Sequence, residues 1–139
     1  MRFVFDTNVI VSAALFAASI PRKALNKALD EGKILVSASV RLELAEVLSR
    51  AKFDKYVSEE VRMRFLIALL KETELVEVTA EVSNCRDAKD NNFLELALSG
   101  RADLIVSGDR DLLVLNPFRG IPILTSGEFL NISSEQETQ

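Results

Sequence analysis

The chain has 139 residues, 48% of them hydrophobic, so it is long and apolar enough to bury the core of one domain. Its 17 basic and 21 acidic residues give a net charge of −4, which disfavours binding nucleic acid over the whole surface. Histidine is absent, which excludes serine–histidine and cysteine–histidine catalysis and removes the commonest zinc ligand. Any enzyme chemistry must therefore use carboxylates, lysines, hydroxyl groups or a metal ion that prefers oxygen ligands.

The short apolar stretches of the chain predict five strands that alternate with helices. The predicted strands are residues 2–5, 34–37, 75–78, 103–107 and 121–125, and the predicted helices are residues 20–30, 39–50, 58–72 and 90–99. This alternation predicts an α/β fold with a parallel sheet covered by helices on both faces. We expect one domain over residues 1–132, followed by a flexible polar tail at 133–139.

Cysteine content and hydropathy predict where the protein resides. Cys85 is the single cysteine, so the chain cannot form an internal disulfide. No apolar stretch approaches the roughly 18 residues of a transmembrane helix, and the N-terminus lacks the pattern of a signal peptide. These features predict a cytoplasmic protein that contacts no membrane.

Two acidic residues directly follow predicted strands. Asp6 comes after the first strand and Asp109 after the fourth, with Asp111 two positions later. Parallel α/β sheets bind ligands beyond the carboxyl ends of their strands, so Asp6 and Asp109 are expected at one edge of the sheet. The alternative for each of these residues is an ordinary turn or helix-capping role.

Other acidic residues occupy predicted helices. Glu43 lies at the edge of an apolar stripe, where a boundary residue that extends to solvent is the alternative. Asp90 stands at the start of the fourth predicted helix, with Asp87 one turn earlier, and one of them could be its N-cap. Clustered carboxylates repel one another unless cations intervene, and oxygen ligands alone suit Mg²⁺ or Mn²⁺. From spacing alone, a metal site and a structural network remain equally open.

Four motifs together resemble the PIN domain family of metal-dependent ribonucleases. They are "FDTNV", "LELAEVL", "RDAKDNNFLELALSGRADLIVSGDRDLL" and "IPILTSGEFL", which occur in order along nearly the whole chain. More narrowly, the chain is similar to the VapC-like branch, the toxins of toxin–antitoxin systems. The resemblance implies a three-layer α/β/α sandwich with a central parallel sheet, an RNA substrate, a possible antitoxin partner and a homodimer.

The resemblance also implies roles for individual residues. The metal-binding and catalytic acids fall on Asp6, Glu43, Asp90 and Asp109, with Asp87 as the competitor of Asp90 for the third position. Auxiliary positions fall on Asn8, Asp87, Ser107 and Asp111. The ions implied are one or two Mg²⁺ or Mn²⁺, which would activate water for attack on a phosphodiester.

Two other phosphate-handling folds do not fit the residues around Asp6. A haloacid-dehalogenase-type phosphatase needs a second aspartate two residues after the first, where this chain has Asn8. A phosphorylatable receiver domain needs paired acids at the first strand. A non-catalytic PIN-like module that binds protein or RNA remains the alternative. Candidates for contacting an RNA backbone, with a plain solvated surface as the equal alternative, are Arg41, Arg50, Lys52 and Lys55.

Overall fold

A computed structural model describes residues 1–132, and the tail predicted at 133–139 lies outside the described residues. The strands of the described part are β1 (Arg2–Phe5), β2 (Lys33–Val36), β3 (Thr73–Leu75), β4 (Leu104–Val106) and β5 (Ile123–Leu124). Its helices are α1 (Thr7–Leu15), α2 (Ile20–Glu31), α3 (Ala38–Leu48), α4 (Glu59–Lys71), α5 (Ala88–Ser99), α6 (Arg110–Leu113) and α7 (Ser126–Leu130). A single 3₁₀ turn at Ala51–Phe53 follows α3.

The five strands form one parallel sheet in the order β3-β2-β1-β4-β5. The chain builds the sheet outward from β1 to β3 and then returns to add β4 on the other side of β1. Right-handed crossovers therefore place α1–α4 on one face and α5 on the opposite face. This is the predicted α/β sandwich. The reversal of strand order occurs between β1 and β4, where folds of this kind bind ligands.

The central strand β1 passes through the hydrophobic core. Phe3, Val4 and Phe5 are at most 2% exposed, as expected for a strand covered by helices on both faces. The rings of Phe3 and Phe5 both make edge-on contacts with Phe129 of α7, at centroid distances of 5.3 and 6.3 Å. This packing fixes the carboxyl end of β1, and therefore fixes Asp6, the residue that follows it.

Helix α1 was not predicted, because its sequence lacks an amphipathic pattern. Seven of its nine residues are buried, so apolar side chains occur all round the helix rather than along one stripe. The third strand was predicted at 75–78, but it begins two residues earlier and ends three residues earlier. In the structure Thr73 to Leu75 pair with β2, and only the amide of Val76 continues the ladder, donating to Val36 O at 2.8 Å.

Most of the other boundaries agree with the sequence prediction. Helix α4 begins after Ser58, whose Oγ accepts a hydrogen bond from the amide of Val61, and α5 ends before Gly100. A Cβ at Gly100 would lie 2.6 Å from the terminal methyl group of Leu35, so a larger residue there would have to displace that side chain. The start of α5 differs from the prediction, because Asp87 and not Asp90 is its N-cap.

Within residues 1–132, no single helix has both the length and the hydropathy needed to cross a membrane. Helices α1 and α2 meet both criteria only when taken as a pair. The two helices are bent by 109° relative to each other.

Candidate active site

Three aspartates begin helices at the carboxyl edge of the sheet or beside it. Asp6 caps α1, Asp87 caps α5 and Asp109 caps α6. In each, Oδ1 accepts a hydrogen bond from the amide two residues later, at 3.1, 2.9 and 2.9 Å respectively. The capping role considered from sequence is therefore real for these three residues. It uses one carboxylate oxygen and leaves Oδ2 available for another contact.

Ser107 joins the ends of β1 and β4. Its hydroxyl donates to Asp6 Oδ2 at 2.8 Å and accepts from the amide of Asp109 at 3.0 Å. The side chain of Ser107 is fully buried, so these two bonds are shielded from competing water. Asp6 and Asp109, predicted to share an edge of the sheet, are thus linked through one hydroxyl group.

Asp90 is the most perturbed acid of the described chain. It lies one turn inside α5, only 5% exposed, and its Oδ2 has no hydrogen-bond partner. Burial, followed by the negative charges of Asp109, Asp87 and Asp6, raises the pKa of Asp90 to about 6. A buried carboxylate oxygen without a donor is unfavourable, and a cation would stabilise it.

The carboxylates converge into two overlapping groups. Oxygen atoms of Asp90, Asp109 and Asp111 all lie within 4.8 Å of one another. A cleft of about 210 Å³ brings four predicted acids together, namely Asp6, Glu43, Asp90 and Asp109. Asp90 and Asp109 belong to both groups. Asp111 was predicted only as an auxiliary residue, but its carboxylate lies close enough to Asp90 and Asp109 to share a metal ion with them.

The remaining predicted acids occupy the rim of the cleft. Glu43 is half-buried on α3. The pKa of Asp6 is raised mainly by the burial of Asp6 itself, and further by the negative charges of Asp109 and Glu43. The hydrogen bonds that Asp6 accepts from the Ser107 hydroxyl and the backbone amide of Asn8 lower that pKa. Asp87 also lines the cleft but is exposed to solvent. The structure therefore brings all the predicted acids to one end of the sheet, where their negative charges repel one another.

The predicted basic residues are distributed over different surfaces. Arg50 lines the acidic cleft and forms an ion pair with Glu46 at 2.7 Å. Arg41 lines a separate apolar groove with Leu42 and is not in the cleft. Lys52 and Lys55 are exposed on the segment between α3 and α4. Of this predicted set, only Arg50 contacts the acidic cleft.

Two polar residues of the cleft were not predicted from the sequence. Lys89 is one of them. It lies between Asp87 and Asp90 in the sequence, so its place beside the candidate acids could have been predicted. Thr7 also lines the cleft and is 3% exposed, with a hydroxyl oxygen that has no hydrogen-bond partner. No sequence pattern distinguishes such a threonine from one packed in the core.

A second, larger cavity of about 490 Å³ adjoins the acids on the side of α1. Asp6, Asn8 and Asp109 contribute to its wall, together with hydroxyl-bearing side chains of Ser12, Thr125 and Ser126. The exposed amide of Asn8 borders both this cavity and the acidic cleft. Asp6 and Asp109 thus lie between two adjoining depressions.

The segment from 76 to 87 leads into the site without regular secondary structure. Three side chains spaced four residues apart on α5 bind its backbone. Ser99 Oγ accepts from the amides of Thr79 and Ala80, at 3.0 and 3.1 Å. Glu95 Oε2 accepts from the amide of Val82 at 2.9 Å, and Asn91 Oδ1 from that of Cys85 at 2.9 Å. This row of acceptors holds the segment along α5 up to Asp87.

Comparison with known proteins identifies the family. A PIN domain family model matches residues 2–111, which is most of the chain. The chain belongs to the PIN domain family. This PIN domain is 32% identical over 118 residues to the uncharacterized protein MJ1680 of Methanocaldococcus jannaschii, covering 83% of this chain and 75% of that protein.

Two solved structures share the fold of this PIN domain. One is PAE2754 from Pyrobaculum aerophilum, with a TM-score of 0.63 and 16% identity, covering 100% of this chain and 91% of that one. The other is VapBC2 from Rickettsia felis bound to a DNA fragment from their promoter. Its TM-score is 0.56 at 19% identity, covering 89% of this chain and 97% of that one. At these identities the similarity concerns the fold.

Proposed function

We propose that this PIN domain is a metal-dependent endoribonuclease that hydrolyses RNA phosphodiester bonds. The observation that carries the proposal is the buried Oδ2 of Asp90, which has no hydrogen-bond partner and lies among the carboxylates of a cleft open to solvent. A structural network would satisfy that oxygen with a donor. An oxygen left without one fits a site that holds a cation.

The donor set of the cleft fits Mg²⁺ or Mn²⁺. With no histidine in the chain, the ligands would be carboxylate oxygens, which both ions prefer. We assign the ligands to Asp6, Glu43, Asp90 and Asp109. Burial favours Asp90 over Asp87 as the third acid, because Asp87 is exposed and its Oδ1 caps α5. Asp111 is positioned to assist from beside Asp109.

The ion would supply activation of water and neutralisation of charge on the scissile phosphate. The chain's own residues hold that arrangement in place. Ser107 fixes the carboxylate of Asp6 through Oδ2, and its own contact with the amide of Asp109 fixes the two strands relative to each other. Asn8, exposed at the boundary of both depressions, can donate its amide hydrogens to phosphate oxygens.

Basic side chains would bind the phosphates that flank the scissile bond. Lys89 and Arg50 line the acidic cleft, so they are the nearest candidates. Lys52 and Lys55 continue from Arg50 along the same segment. Arg41 lies in a different groove, so its contact with RNA would need a strand that extends around α3. Local basic groups of this kind explain how an acidic protein could bind a polyanion.

We further propose that the protein is the toxin of a toxin–antitoxin pair in the cytoplasm and forms a homodimer. The fold is shared with VapBC2 of Rickettsia felis, whose structure contains DNA from the promoter. Exposed apolar side chains also support a protein contact, since Leu42 and Leu75 are 73% and 56% exposed and line one groove. A single copy in solution with no affinity for a co-encoded protein would contradict both parts of this proposal.

The test of the nuclease proposal is cleavage of a labelled, unstructured RNA. Wild type should cleave with Mg²⁺ or Mn²⁺ and be inactive with EDTA. Asp90→Asn should lose cleavage, whereas Asp30→Asn, which changes an exposed aspartate of α2, should retain it. Equal cleavage by wild type and Asp90→Asn would contradict the assignment of Asp90 as a metal ligand. Metal-independent RNA binding without cleavage would favour the non-catalytic binding module.

A further inference from the structure

Two aromatic rings lie exposed beside each other on the surface. Phe16 follows α1 and Tyr56 follows the 3₁₀ turn, and they are 46% and 51% exposed. Their ring centroids are 5.3 Å apart at an interplanar angle of 70°. An edge-on pair buried in a core is common, but here both rings leave about half of their surface in water. Such a pair offers flat apolar area to a ligand.

Two lysines accompany the rings. Lys55 Nζ lies 5.1 Å from the ring centroid of Tyr56, and Lys52 Nζ lies 5.2 Å from that of Phe53. Within residues 1–132 neither lysine makes an ion pair. The acid between them, Asp54, is paired with Arg62 at 3.0 Å. Phe16, Tyr56 and Lys55, called here the aromatic platform, therefore combine exposed aromatic rings with a positive charge, and Lys52 lies nearby on the same segment.

A buried arginine fixes the segment that carries most of the platform. Arg62 is 0% exposed, and its guanidinium group donates to the carbonyl oxygens of Leu48 at 2.7 Å and of Arg50 at 3.2 Å. It also donates to the carbonyl of Val57. The segment from α3 to α4 is thus held at both ends by one side chain. A ligand that binds the platform does not have to order this segment first.

The platform is connected to the acidic cleft by two elements. Arg50 lines the cleft and begins the segment that reaches Tyr56. Helix α1 begins in the cleft at Thr7 and ends next to Phe16. Nine helical residues span roughly 13 Å at 1.5 Å per residue. A short oligonucleotide could therefore contact the acids and the platform at the same time.

We propose that the aromatic platform binds unpaired RNA, with a base stacked on one ring of the Phe16–Tyr56 pair and in edge contact with the other, and with phosphates held by Lys55 and the neighbouring Lys52. This inference rests on the proposed ribonuclease function and assigns to its RNA a binding surface outside the acidic cleft. Stacking on aromatic side chains requires a base whose face is accessible, and the bases of a duplex already stack on each other. Because the net charge is −4, RNA binding has to use local basic surfaces, and the platform would add one to the basic residues of the cleft.

Binding in the absence of metal separates the platform from catalysis. Anisotropy of a labelled, unstructured RNA in EDTA should show about tenfold weaker affinity for Phe16→Ala and for Tyr56→Ala, with duplex RNA affected less than twofold. Tyr56→Phe keeps the ring and should bind within twofold of wild type. Ile67→Ala, a change of an exposed apolar residue on α4, is the matched control and should leave affinity unchanged.

Intrinsic fluorescence gives a direct measurement of stacking. Tyr56 is the only tyrosine of the chain, which has no tryptophan, so tyrosine emission arises from the platform alone. Unpaired RNA should quench this emission and duplex RNA should not. The same RNA added to free N-acetyltyrosinamide corrects for absorption of light by the bases. Emission that unpaired RNA leaves unchanged would overturn the proposal.

The outcomes distinguish this proposal from the nuclease itself. If wild type cleaves with metal but both alanine variants bind unpaired RNA normally, the platform proposal is wrong and the nuclease proposal stands. If the variants lose unpaired-RNA affinity but wild type never cleaves, the platform stands and the nuclease proposal fails. Normal RNA affinity together with a changed oligomeric state would assign the rings to a protein contact, which also overturns the platform.

Discussion

The hydroxyl of Ser107 donates to Asp6 Oδ2 at 2.8 Å, although 101 positions separate the two residues in the sequence. The bond connects the first and fourth strands at their carboxyl ends, where the order of the sheet reverses. It is buried and made to a carboxylate, so it is stronger than a hydrogen bond between neutral groups. One serine thus contributes to both the fold and the geometry of the candidate site.

Replacing Ser107 with alanine should therefore affect stability and activity together. We expect a loss of about 1.5–3 kcal/mol in the free energy of unfolding, the usual range for a hydrogen bond to a charged group. Urea unfolding measures this loss, and RNA cleavage should fall because Asp6 is no longer fixed. In an Asp6→Ala background the same serine replacement should cost much less. Equal costs in the two backgrounds would show that the bond does not contribute.

Asp6→Asn should abolish cleavage and leave the fold intact. The asparagine Oδ1 can still accept the capping bond from Asn8, so α1 should begin at the same residue. Burial and the charges of Asp109 and Glu43 raise the pKa of Asp6, which means that the folded protein disfavours its charged form. Asparagine places an NH2 group at Oδ2, which cannot accept from Ser107. Loss of that bond should offset the relief of repulsion, so without metal at neutral pH the variant should melt close to the wild-type temperature. Cleavage at the wild-type rate would show that Asp6 is not a ligand.

The stability of the metal-free protein should depend on pH through Asp90. Its pKa is about 6 in the folded state and near 3.8 in the unfolded chain, so stabilisation by the protonated form is complete below the lower value. It is lost as pH rises through about 6. The difference between the two pKa values corresponds to at most about 3 kcal/mol in the free energy of unfolding. Urea unfolding in EDTA between pH 4 and pH 8 should show this decline in wild type.

Asp90→Asn supplies the comparison for that titration. The variant has no carboxyl group at this position, so the part of the decline between pH 4 and pH 7 that belongs to Asp90 should disappear. Asp30→Asn, at the exposed surface of α2, should retain the wild-type profile. Identical profiles for wild type and Asp90→Asn would contradict the raised pKa.

Divalent ions should stabilise the folded protein. An ion that binds only the folded state adds about 2.7 kcal/mol at a hundredfold excess over its dissociation constant. Millimolar Mg²⁺ or Mn²⁺ should therefore raise the melting temperature, and the double variant Asp90→Asn, Asp109→Asn should lose most of the rise. Sodium chloride at matched ionic strength controls for general screening of the net charge of −4. A rise that salt alone reproduces would exclude a specific site.

The position of the acids could be predicted because parallel sheets place their ligands at the carboxyl ends of strands. Asp6 and Asp109 needed only the strand assignments and this rule. The close approach of Asp111 to Asp90 was not predictable, because it depends on how α6 begins after β4. Helix α1 was missed for a different reason, since a helix buried all round carries no periodic signal.

Buried polar contacts were also invisible in the sequence. The sequence predicts that Arg62 is an exposed residue of an amphipathic helix, yet its guanidinium group is completely buried among backbone carbonyl groups. The contact exists because the chain from α3 to α4 turns its carbonyl groups inward around that side chain. Pairings of this kind are decided by tertiary structure, and a single sequence has no pattern that encodes them.

The row of acceptors on α5 has a consequence for how this protein can vary. Asn91, Glu95 and Ser99 bind amide groups of the segment from 76 to 87, and every residue except proline carries an amide. Substitutions in the segment should therefore be tolerated at most positions, whereas inserting or deleting one residue would move every amide away from its acceptor. Related chains should therefore differ in the composition of this segment, apart from the capping Asp87 and the buried Val82, and keep its length constant.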